Sequence, residues 1–162
     1  MRVYLPTSLR TLRRWAQAAE AGPAPLTGYA VTPGLREWYA DADIHELEYA
    51  ATARAARASL RLLQESEPRR VVLAVDAPDA AVSVRDDLDE GAVELSAAVP
   101  WPAVAAALVD AQEAEDDVRL AIGQVDAADL GDADAEFAVS STEDHELLWY
   151  ATQEIPDLPP PA

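Results

Sequence analysis

Apolar positions along this chain recur with two periods, and the switches between them predict its elements. Continuous or alternating apolar runs at residues 2–5, 28–31, 70–75, 92–97 and 147–152 predict strands. The run from Val71 to Val75 is the strongest, because it is apolar throughout and suits a central strand covered on both faces. Residues 104–109 fit strand or helix equally. Leu9, Leu12, Trp15 and Ala19 follow helical spacing, and Thr7 is placed to cap that helix, which should reach about Glu20. Thr32-Pro33 opens a second helix through Leu35 and Trp38. Asp43 and Glu46 have capping-box spacing and open a longer one, with Leu47, Ala51, Ala55, Ala58 and Leu62 along one face. Residues 113–125 predict a further helix, with Val118, Ile122 and Val125 inward and Gly131 as a breaker beyond it.

Strands alternating with helices predict an α/β or α+β fold. The expected architecture is one mixed sheet of about five to six strands covered by helices. Residues 1–155 should form one domain, and the proline-rich end, 156–162, should be extended and mobile.

Half of the residues are hydrophobic but only 6% are aromatic, so the large core anchors should include Trp15, Trp38, Trp101 and Trp149. There is no cysteine, which excludes disulfides, thiolate metal sites and a cysteine nucleophile. The first residues lack the apolar stretch of a signal peptide, and no window is apolar enough to span a bilayer. The expected compartment is therefore the cytoplasm.

Charge changes the picture most. Residues 1–75 hold ten arginines against eight acids, a balance of +2, whereas residues 76–162 hold two against twenty-two, a balance of −20. All twelve basic side chains are arginine, as expected of a GC-rich genome. A net charge of −18 disfavours nucleic acid and anionic membranes as partners.

Taken together, Val31-Thr32-Pro33, Leu35-Arg36-Glu37-Trp38-Tyr39, Glu46-Leu47-Glu48-Tyr49-Ala50-Ala51 and Arg69-Arg70-Val71-Val72 resemble a family of short actinobacterial proteins with no assigned function. Asp76 with Pro78, and the run from Asp144 to Ala151, match it as well. The resemblance implies a bacterial cytoplasmic protein and carries over no site residue.

Candidate chemistry is sparse. Both histidines open His-Glu-Leu, at His45 and His145, but the second histidine that a zinc-protease helix needs one turn later is replaced by Tyr49 and Trp149. Asp132, Asp134, Glu136 and Glu143 fall at calcium-loop spacing, yet Phe137 stands where the loop needs glycine, and the following segment reads as a strand. Ser140-Ser141-Thr142 lacks a nucleophile elbow, and six scattered glycines form no phosphate loop.

Arg54, Arg57 and Arg61 share one helix face and could hold a phosphate or carboxylate; the plain reading is that they pair with the acidic half. Arg10, Arg13 and Arg14 cluster likewise on the first helix. Asp79, Asp110, His145 and Glu146 lie at predicted strand ends, where α/β proteins often place sites. The candidate binding residues are Arg54, Arg57, Arg61, Asp79, His145, Glu146 and Trp149. The expectation is a non-catalytic interaction or regulatory module, binding a protein partner or itself, without metal or cofactor. The alternative is a small enzyme or ligand-binding domain that uses carboxylates and His145, with or without the assistance of a metal.

Overall fold

The computed structural model describes residues 1–159. In chain order its strands and helices are β1 (Arg2–Thr7), α1 (Leu9–Ala18), β2 (Glu20–Ala21), β3 (Leu26–Tyr29), α2 (Pro33–Trp38), α3 (Ile44–Ser59) and β4 (Val71–Asp76). There follow β5 (Val82–Val84), β6 (Ala92–Leu95), β7 (Val99–Pro100), β8 (Val104–Asp110), α4 (Glu115–Ala121), α5 (Val125–Asp129), α6 (Ala133–Ser141) and β9 (Leu147–Ala151). Seven strands form the main sheet in the order β5-β6-β3-β1-β4-β8-β9, and β2 pairs separately with β7. Every pairing is antiparallel. The sheet is therefore antiparallel rather than mixed, and larger than the five to six strands expected. The additional strand β5 has only three residues, too few for its alternation to be read from sequence.

The apolar run of β4 is buried because β1 and β8 flank it and helices cover both faces. Val71, Leu73 and Val75 point to one side, where they pack with Leu9, Leu12 and Trp15 of α1. Val72 and Ala74 point to the other, against Leu47, Ala51 and Ala55 of α3. The alanines bring α3 close to the sheet, as its stripe predicts. Leu62, however, ends up exposed, because the helix gives way to a single 3-10 turn at Leu60–Leu62. A third core joins Leu60 and Leu63 to Val118, Val125, Ala135 and Val139 of α4, α5 and α6.

Several local expectations change. Thr7 ends β1, and Ser8 caps α1 by accepting from Thr11 N–H at 3.2 Å. The helix expected over 113–125 is interrupted at Gly123, whose φ of +80° belongs to the left-handed region. Gly131, at φ +93°, separates α5 from α6. The segment after Asp132, to which the sequence assigns no element, is α6, and the strand expected beyond Glu143 is β9. Asp132 caps it by accepting from Ala135 N–H at 2.9 Å, and Asp134 and Glu136 sit in its first turn, where the helix dipole favours acids. Asp132 thus serves as a helix cap.

Of the four tryptophans named as anchors, only Trp15 is buried; Trp38 and Trp149 are 63% and 64% exposed. Residues 152–157 form a 3-10 helix beyond β9, and Ile155 and Leu158 join the α1-side core. The final residues of the proline-rich end, 160–162, lie outside the described residues.

Candidate functional site

Strand β9 is Leu-Leu-Trp-Tyr-Ala, a sequence whose aromatic and branched character favours an extended backbone. Its alternation sends Leu147 and Trp149 to the α3 side of the sheet and Leu148 and Tyr150 to the α1 side. The register fixes this, since Trp149 lies opposite Leu108, which in turn lies opposite Val72. Tyr150 packs on the α1-side core, while Trp149 does not find a helix to cover it. The reason is where α3 runs: it packs over β3, β1 and β4 and stops short of the β8–β9 margin.

What remains is an open groove of about 660 Å³ between α3 and β9. Tyr49, Thr52, Ala53 and Ala56 form its helical wall, at i, i+3, i+4 and i+7 on one face. Leu108 and Leu147 line the sheet side, and Glu143, Asp144, His145 and Glu146 form one end. Tyr49 is 63% exposed, so two large aromatic side chains, Tyr49 and Trp149, stand open on the same side of the sheet.

The end of the groove is held by a buried ion pair. Arg70 donates from Nε and Nη2 to the two carboxylate oxygens of Asp110 at 2.8 and 2.7 Å, and its backbone N–H donates to the same carboxylate at 2.8 Å. Both side chains are almost wholly buried. Arg70 Nη2 also donates to the His145 carbonyl at 2.9 Å, which ties the entry of β9 to β4 and β8. The His145 ring reaches Asp117 of α4, Nε2 to Oδ2 at 2.7 Å. No hydroxyl group shares a hydrogen bond with that ring among the described residues, so the pair does not form a nucleophile–base relay.

The other candidates lie elsewhere. Arg54 pairs with Asp89 at 2.6 Å, Arg57 with Asp129 at 2.8 Å, and Arg61 with Asp126 and Asp129 at 2.9 and 2.8 Å. The arginine stripe and the acidic half therefore meet within the chain. The hydrogen bond from Arg57, with its charge and that of Arg61, holds the Asp129 carboxyl below its ordinary range despite some desolvation. Asp79 sits at the opposite end of the sheet from His145, facing the N-terminal ammonium at 3.2 Å. His45 is exposed on the first turn of α3 and does not line the groove. The structure thus gathers His145, Glu146 and Trp149 at one margin, and leaves the three arginines and Asp79 apart from them.

Sequence reasoning missed Tyr49 and Asp117. A signal for Tyr49 existed: a large aromatic two residues from Leu47, off the buried stripe, is a surface aromatic. Asp117 gave no such signal, because only the fold brings α4 to His145.

Among the described residues, no group of three or more His, Asp or Glu side chains is placed to hold a metal ion, and no helix is long and apolar enough to cross a membrane. A family model described as "Family of unknown function (DUF6912)" matches residues 1–158. The chain belongs to this family. The DUF6912 match covers every element named above, including the groove and the whole of β9. No curated protein matches the chain, and no solved structure does.

Proposed function

We propose that this DUF6912 protein is a non-catalytic protein-binding module and that the groove between α3 and β9 receives its partner. The observation that carries the reading is Tyr49, open in the helical wall of the groove across from Leu108 and Leu147, with Trp149 open on the same side of the sheet along β9. Aromatic side chains left on a surface offer large rigid contact area at small entropic cost, and they dominate protein interfaces. Among the described residues, neither Tyr49 nor Trp149 belongs to a core cluster. The paired state of Arg54, Arg57 and Arg61 supports the same reading, since their charge is already matched within the chain. The cysteine-free, all-arginine composition supports a cytoplasmic setting in a GC-rich bacterium such as an actinobacterium.

The test places a photo-crosslinking residue at Tyr49 and, separately, at the remote and highly exposed Leu130. We expect one protein to be captured from Tyr49 and not from Leu130, and its capture to be lost on Trp149→Ala. Equal capture from both positions, or capture indifferent to Trp149→Ala, would overturn the reading.

The second reading, a metal-assisted ligand-binding domain, rests on the contact of His145 with Asp117 alone, since no third described side chain is placed to share an ion with them. It requires a rise in melting temperature with magnesium, manganese, calcium or zinc. No rise with any of the four removes it.

A further inference from the structure

We infer that the occupant of this margin is an extended basic segment of another protein, which adds to the sheet as an eighth strand along β9. The inference rests on the protein-binding reading above and names the chemistry of the partner.

The first observation concerns backbone groups. Strand β9 ends the seven-stranded sheet, with β8 on one side only. Ala151 N–H does not enter the ladder with β8 but donates to Glu154 Oε2 at 2.7 Å. In an antiparallel strand, backbone groups alternate between the two edges. Trp149 and Leu147, two and four residues away, therefore direct their N–H and C=O groups outward with Ala151. An added strand would satisfy those four groups, which is how sheet edges capture peptides.

The second observation is that this edge lacks the usual protection. Natural edge strands are short, charged, bulged or interrupted by proline. At the other margin β5 has only three residues and runs into Arg85, Asp86 and Asp87. By contrast, β9 has five residues, no charge and no proline, and its register with β8 is continuous. Leu148 is 45% exposed and Trp149 64%. The edge thus offers apolar contact on both faces of an incoming strand.

The third observation selects the partner. Exposed acids bracket the strand, with Glu143, Asp144 and Glu146 before it and Glu154 and Asp157 after it. Among the described residues none of the five takes part in a salt bridge. A strand with apolar residues at alternate positions and Lys or Arg at its ends matches this pattern. A second copy of the chain does not, because pairing two β9 edges would bring like acids together on chains of −18 each.

The experiment titrates the full-length protein with a short peptide having alternating Val and Thr flanked by arginines. Amide protection is followed at Leu147 and Trp149, and Trp149 emission is assigned by difference from Trp149→Phe. We expect saturable binding, new protection at both amides, and about tenfold weaker binding when the peptide is N-methylated on the positions facing β9. Acidic flanks in place of arginine should abolish binding, and raised salt should weaken it. Helical or proline-rich basic peptides that bind as well, or indifference to N-methylation, would overturn strand addition while the groove remained a binding site. Dimerisation lost on Trp149→Ala would overturn it in favour of a second copy. If no peptide perturbs Trp149, strand addition fails; if the Tyr49 crosslinker also captures nothing, the protein-binding reading fails with it.

Discussion

Single residues in this protein show how much a few polar atoms fix. Asp86 is the clearest. Its Oδ1 accepts from Thr32 Oγ1 at 2.6 Å and from Gly91 N–H at 2.9 Å, and its Oδ2 accepts from Gly34 N–H at 2.9 Å. Gly34 has no side chain because the Asp86 carboxylate fills the place a Cβ would take. Gly91 adopts φ +89°, which a residue with a side chain rarely tolerates. Partial burial pushes the Asp86 carboxyl up, but the three hydrogen bonds to its charged form outweigh that and hold it below its ordinary value. A depressed folded-state pKa means that the stabilisation is present above the unfolded value, near pH 4, and is lost as pH falls through the folded one. Asp86→Ala should therefore cost about 1–3 kcal/mol at pH 7. Urea unfolding across pH should show that gap narrowing below about pH 4. An unchanged gap at pH 3 would contradict the account.

Elements are joined by interactions between residues distant in sequence, and the Arg70–Asp110 pair is the main one. It links the start of β4 to the end of β8 and, through the His145 carbonyl, to the entry of β9. Removing one member strands the other as an uncompensated buried charge. Asp110→Ala should destabilise the protein by about 3–5 kcal/mol, and Arg70→Met with Asp110→Leu should recover much of that. Chemical denaturation checks both, and a single variant within about 0.5 kcal/mol of wild type would refute the role assigned to the pair. The candidate site was legible at this scale only in part. The character of β9 could be read from Leu147 to Thr152, but its position at the sheet margin could not. The strand expected after Glu143 is β9, whereas residues 133–141 carry no clear period and α6 was not legible there. Helix α6 instead owes its place to Ala135 and Val139, which are buried in the third core.

The whole molecule is governed by its charge. Arg54 and Arg57 of α3, with Arg61 of the 3-10 turn that follows it, neutralise Asp89, Asp126 and Asp129, which draws α5 and the loop before β6 toward the helix. The remaining acids exceed the remaining arginines, so like charge keeps separate copies apart. Sedimentation at low ionic strength should show a monomer. A dimer that forms without added salt would mean that contacts at the exposed aromatic margin outweigh repulsion.

The sequence by itself determined the central strand, because five consecutive apolar residues from Val71 to Val75 demand cover on both faces. It also determined the long alanine-faced helix, the capping by Thr32 and Asp43, and the division of charge. Those follow from local periodicity and composition, which need no knowledge of neighbours. Only the tertiary structure decided the strand order, the meeting of Arg57 and Arg61 with α5, the Arg70–Asp110–His145 linkage, and the exposure of Trp149. Each of these depends on which parts of the chain are brought side by side. A tryptophan suits a core and an interface equally well, so its hydrophobicity alone does not choose between them; the choice came from where α3 crosses the sheet.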